Sequence, residues 1–183
     1  MGQPKLLMNW CENTVIETVL QAWRQSRVDQ IVVVARRDDH ELIDRCCDAG
    51  AEVVTPIDDP PEIKISVQAA LNHVESVFAP SATDVWLLAP ADMPRISATV
   101  IDRLVDAHDA ESPCILVPES NGLRGHPVLF PWPLAKETQK LAADEGVNAL
   151  LKRHHVREIA GGDLTVLEDL DTPGDYRRLS ERE

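Results

Sequence analysis

Apolar residues along the chain fall into two alternating rhythms. Short runs rich in β-branched residues occur at "IVVVA" (31–35), "AEVVTP" (51–56) and "DVWLLAP" (84–90), each bounded by turn-forming or charged residues. Such runs predict buried strands of a parallel sheet, and Pro56 closes the second of them. Between them lie stretches of helical period. "ENTVIETVLQAWRQ" places Val15, Val19, Ala22 and Trp23 on one face, with Thr14 and Glu17 forming a capping box at its start. Asp38 with Glu41 repeats that start signal, and Gly50 suits the C-terminal cap of the helix it opens. "IKISVQAALNHVESVF" is predicted as a helix whose apolar face carries Ile65, Ala69, Val74 and Val77, and Ser97 as the N-cap of the next. The alternation is that of a βα-repeating sheet.

The rhythm then changes. After the strand "CILVPE", the stretch "SNGLRGHPVLFPWP" is rich in Gly and Pro around an apolar core. "DEGVNALLKRH" predicts a helix capped by Asp144, "VREI" follows it, "TVLE" predicts a strand, and Thr172, Pro173 and Asp175 mark the start of a final helix.

Composition narrows the function. With 183 residues, 44% of them hydrophobic, one domain spanning 1–183 is expected. A net charge of −13 argues against partners bound through clustered Lys and Arg, so neither nucleic acid nor an anionic membrane is expected. No apolar run approaches the roughly 20 residues of a membrane span, and no leader pattern opens the chain, so a cytoplasmic location is expected. Cys11, Cys46, Cys47 and Cys114 have neither C-x-x-C spacing nor a nearby His, and read as buried free thiols. The histidines of the helices receive no role.

In parallel α/β sheets ligands bind at the carboxyl ends of strands, which singles out the acids found there. Asp92 follows "DVWLLAP" and precedes Met93-Pro94, so it is aimed from a rigid strand end. It suits either a Mg²⁺ ligand or a helix-preceding Asp that satisfies backbone amides. "RGHP" is either a plain turn or a place where Gly125 brings backbone close to a ligand that His126 contacts. "DLDTPGDY" is either a capped helix start or the source of a second carboxylate, Asp169 or Asp171. Asp58 and Asp59 read as a solvated loop.

"GQPKLL", "LLAPADMP", "RGHPVLF" and "DLDTPGDY" stand in the order found in the nucleotidyltransferases related to molybdenum cofactor cytidylyltransferase and molybdopterin guanylyltransferase. The chain resembles that family over almost its whole length. The resemblance implies a Rossmann-like three-layer α/β sandwich with a mostly parallel sheet, of the nucleotide-diphospho-sugar transferase type. It implies Mg²⁺-dependent transfer of a nucleoside monophosphate from an NTP, CTP in preference to GTP, to a small phosphorylated acceptor such as molybdopterin. Lys5 and Asp92 would be catalytic, with Lys5 neutralising charge on the α-phosphate. Asp92 and Asp171, or Asp169 in its place, would hold the metal. Gly2, Pro4, Lys5, Ser66 and Gln68 would bind nucleotide, and Gly125 and His126 the acceptor. The Ser66 segment matches in part, since Gln68 and Ala70 replace an Arg and a Gly. A second copy or a molybdoenzyme maturation partner is the protein partner the resemblance leaves open.

The family begins with a strand and a loop of the form L-A-A-G-x-S-x-R-M-G-x-P-K, and this sequence starts at the Met of that loop. The domain is therefore expected to be N-terminally truncated, lacking the first strand and the glycine cradle for the triphosphate. Three readings follow: an enzyme whose start lies upstream, a catalytically impaired paralogue acting as a nucleotide-binding or regulatory module, and an unrelated α/β receiver phosphorylated on Asp92.

Overall fold

The computed structural model describes residues 4–160, 168, 170 and 172–180. A single helical turn at Lys5–Leu7 leads into a small antiparallel pair, β1 (Asn9–Trp10) and β2 (Asn13–Thr14), and then α1 (Val15–Gln25). The predicted alternation follows as β3 (Val32–Val34), α2 (His40–Asp48), β4 (Glu52–Val54), α3 (Ile63–Phe78), β5 (Val85–Leu88) and α4 (Ala98–Ala107). The rest comprises β6 (Ile115–Ser120), β7 (Leu123–Arg124), β8 (Val128–Pro131), the short α5 (Ala135–Thr138) and α6 (Ala149–Arg153), β9 (Val156–Ala160) and α7 (Pro173–Ser180). The expected strand "TVLE" lies outside the described residues, Glu168 apart.

The α/β class holds, and within it the sheet is mixed rather than mostly parallel. β3 and β4 pair in parallel, as do β6 and β9, which are joined through the α5–α6 crossover. Around them, β8 is antiparallel to β5 and β6, and β7 is antiparallel to β6. The cause is local. Asn121 and Gly122 have φ of 52° and 78°, the paired positive angles of a tight hairpin turn, so β6 folds straight back. Among the described residues β3 pairs with β4 alone and β5 with β8 alone, so the strands form two sections.

Period-2 alternation sorts β6 and β8 between two faces. Ile115, Val117, Val128 and Phe130 pack with Val67 and Leu71 of α3, and Trp86 stacks on its cross-strand partner Phe130 with ring centroids 4.2 Å apart. Leu116 and Leu129 face the other way, against Leu104 of α4. Helices on both faces of one sheet make the three-layer sandwich. A further core joins α1 and α2 to β3 and β4 through Ile16, Leu20, Leu42 and Cys46, and a small one gathers Trp10, Val15, Leu170 and Leu179.

Local start signals mostly hold. Thr14 and Glu17 form the reciprocal capping box, Ser97 caps α4, and Thr172 and Asp175 exchange hydrogen bonds at the head of α7. Gly50 ends α2 with φ of 78°, a conformation a side chain would strain, beneath Arg24, whose guanidinium donates to the Ala49 carbonyl at 2.7 Å. Other signals fail. α2 is capped by Asp39 without a side-chain bond, because Glu41 turns to Arg45, its neighbour one helical turn on. α6 starts after Asn148 instead of Asp144. In α3 the buried face is Lys64, Val67 and Leu71, while Ile65 and Val77 are exposed. Lys64 is buried because its ammonium donates to the Ala142 and Ala143 carbonyls at 2.8 and 2.7 Å, fixing the loop before α6. Of the cysteines, Cys46 is buried, whereas Cys11 and Cys47 are exposed.

Candidate functional site

Asp92 lies in the loop after β5, which buried residues anchor just beyond it, Met93 at 2% exposure and Ile96 at 3%. Its Oδ2 accepts from the Lys5 Nζ at 2.6 Å. Lys5 is delivered by the turn that Pro4 opens, where Leu7 N–H donates to the Pro4 carbonyl. Two residues far apart in the chain thus meet in a half-buried ion pair. The Asp92 Oδ1 is different: it is buried and takes no hydrogen bond among the described residues. A buried carboxylate oxygen without a donor is costly to maintain and fits a cation of the oxygen-liganding kind. Among the described residues no group of three or more His, Cys, Asp or Glu could hold a metal ion. Asp171 and Asp169, the expected second carboxylates, lie outside the described residues, as does Gly2.

His126 joins this group through sheet register. β5 and β8 pair with Leu88 opposite Val128, two residues after His126, so His126 enters at the same end of β5 that leads to Asp92. Its Nδ1 lies 3.4 Å from the Leu88 carbonyl. When Nδ1–H donates there, Nε2 donates to a ligand only as the imidazolium. Gly125 has a different place. It is buried and its N–H donates to the Pro118 carbonyl at 2.8 Å, which holds the β6–β7 hairpin and leaves that N–H committed.

The α3 residues expected at the nucleotide are not drawn into these contacts. The Gln68 amide donates to the Thr138 carbonyl at 2.6 Å and its own carbonyl accepts from Gln139, tying α3 to α5. Ser66 is half-buried on the same helix. Asp58 and Asp59 are exposed as expected, with Asp59 at 3.4 Å from Arg36.

The sequence reading missed one pair beside Asp92. Arg95 Nη1 lies 3.3 Å from Oε2 of Glu168, and two residues further on the Leu170 N–H donates to the Asp92 carbonyl at 3.1 Å. Arg95 stood in the quoted "ADMPR" loop, but no local signal links it to a Glu more than seventy positions away. Only the tertiary fold makes that pairing.

Residues 1–158 match the family of the MobA-like NTP transferase domain. The molybdenum cofactor cytidylyltransferase of Escherichia coli (strain K12) is 26% identical over all of this chain and 90% of that enzyme. The crystal structure of Rv0371c from Mycobacterium tuberculosis H37Rv superposes with a TM-score of 0.83 at 31% identity, covering 99% of this chain and 91% of that one. A second structure, Rv0371c in complex with manganese, covers 98% and 93% at 29% identity with a TM-score of 0.78.

Proposed function

Because the chain belongs to the MobA-like NTP transferase family, we propose that it moves a nucleoside monophosphate, CMP in preference to GMP, from an NTP onto a phosphorylated small-molecule acceptor such as molybdopterin, with release of pyrophosphate. The observation that carries this reading is the half-buried Lys5–Asp92 pair at the end of β5, with one Asp92 oxygen left unpaired. The likeness to a cytidylyltransferase over the whole chain supports CTP, and the manganese complex of Rv0371c supports a divalent cation. The free cysteines accord with a reducing, cytoplasmic setting.

Asp92 would hold Mg²⁺ through Oδ1, with Asp171 or Asp169 as the second carboxylate. Bound there, the cation neutralises the charge of the NTP phosphates. Lys5, held beside Asp92 through Oδ2, would present its compact ammonium to the α-phosphate oxygens where charge builds. The nucleophile is already an acceptor phosphate oxygen: its bond to the α-phosphorus forms as the bond to pyrophosphate breaks, and no general base is required. Positioning and charge neutralisation are what remain for the protein to supply. His126, beside the same strand end, would orient the acceptor phosphate as an imidazolium.

The test is pyrophosphate release from Mg-CTP and Mg-GTP in the presence of molybdopterin. Release with CTP exceeding that with GTP supports the proposal. Nucleotide binding without pyrophosphate from either would instead assign the chain as a nucleotide-binding or regulatory module.

A further inference from the structure

We infer that Arg95 and Glu168 are positioning residues, an ion pair that clasps Glu168 and Leu170 onto the Asp92 loop and thereby sets the geometry of the cation site; the inference rests on the reading above.

Three observations converge. The pair itself is 3.3 Å apart, and it is sheltered: Glu168 is 8% exposed and the Arg95 side chain 20%. Holding a carboxylate so buried is costly without a close cation, and Arg95 supplies one. Next, Leu170 is fastened twice, by its N–H to the Asp92 carbonyl and by its side chain, 2% exposed, in the cluster with Trp10, Val15 and Leu179. Leu6, the neighbour of Lys5, packs on that cluster too. Residues 168 and 170 are therefore seated between the loop of Asp92 and the turn of Lys5. Finally, Arg95 starts from a rigid base, since Met93 and Ile96 on either side of it are core residues and Pro94 stiffens the link. A rigid base and a buried acceptor make a clasp with one closed geometry.

The prediction separates positioning from simple support. In the metal-free chain, amide exchange at Leu170 reads the clasp directly, because that N–H is the one bonded to Asp92. Arg95→Ala and Glu168→Gln should speed its exchange at least about 10-fold, with the Ala51 amide, bonded to the Cys46 carbonyl in the other sheet section, unchanged. Titrated with Mn²⁺ alone and followed by electron paramagnetic resonance, both variants should bind about 10-fold more weakly than wild type, within the range known for residues that orient metal ligands. Arg95→Lys keeps the charge and should recover much of the affinity, and it remains informative if Arg95→Ala folds poorly. At saturating Mg-CTP the loss should fall on kcat, with KM for CTP within about twofold.

Unchanged Leu170 exchange overturns the clasp. Faster exchange with unchanged Mn²⁺ affinity overturns the positioning role and leaves a structural ion pair. A wild-type chain that binds no Mn²⁺ sinks the cation reading itself, and the positioning role with it; a wild type that binds Mn²⁺ beside an equally competent Arg95→Ala sinks the positioning role alone.

Discussion

Glu17 and Asp92 are both carboxylates close to the junction of a strand and a helix, and their surroundings treat them oppositely. Glu17 has every need met locally: Oε2 accepts the Thr14 N–H at 2.8 Å and hydroxyl at 2.7 Å, while Oε1 accepts from Arg45 at 2.9 Å. The Thr14 hydroxyl is the main reason its carboxyl is held below the usual range. Asp92 has Lys5 on one oxygen and a buried second oxygen with no donor. Satisfaction on all sides makes a structural carboxylate; a buried oxygen with no donor among the described residues is what the proposed ligand role of Asp92 asks for.

That contrast predicts a hierarchy of effects. Asp92→Asn should lower turnover about 10³-fold, with stability changed by no more than about 1 kcal/mol, since the ion pair it loses is half-exposed. Lys5→Ala should cost about 10²-fold in kcat, with KM for the NTP less affected, as expected of a charge that acts in the transition state. A comparable loss of stability in either variant would erase the distinction from Glu17. Thr14→Ala should do the reverse, removing about 1 kcal/mol of stability and about 2–4 °C of Tm while kcat stays at the wild-type value.

Smaller still is the pH effect. Glu17 has a folded pKa below its ordinary value of 4.5, so its contribution is complete above that value and is lost as pH falls through the lower one. The stability gap between wild type and Glu17→Gln, followed by thermal melts, should therefore be constant from pH 7 to about 5.5 and close in more acid solution. The smallest effect concerns α2, which carries Arg45 to Glu17. Burial pushes its Cys46 thiol up to about 11, so a thiol reagent at pH 7.5 should label the exposed Cys11 and Cys47 and spare Cys46.

The same division between local and distant partners decides what the sequence reveals. Caps such as Thr14–Glu17, Ser97 and Thr172–Asp175 are legible because donor and acceptor lie within three residues. Asp92 is legible from its place after a strand and before Pro94. The buried face of α3 is misread because Lys64 enters the core only by finding the carbonyls of Ala142 and Ala143, and apolar periodicity has no way to foresee that. Gln68 likewise finds Thr138, and Gly125 finds Pro118. The antiparallel half of the sheet follows from the Asn121-Gly122 turn, a signal present in the sequence but passed over within a Gly- and Pro-rich stretch. Arg95 and Glu168 carry no local mark at all.

The most direct test of the central claim is a Mn²⁺ titration of the wild type and of Asp92→Asn, in the presence of CTP. The account predicts that the wild type binds the ion and that Asp92→Asn loses at least about 10-fold in affinity while remaining folded. Equal affinity in the two proteins would contradict it, and would return Asp92 to the class of structural carboxylates that Glu17 represents.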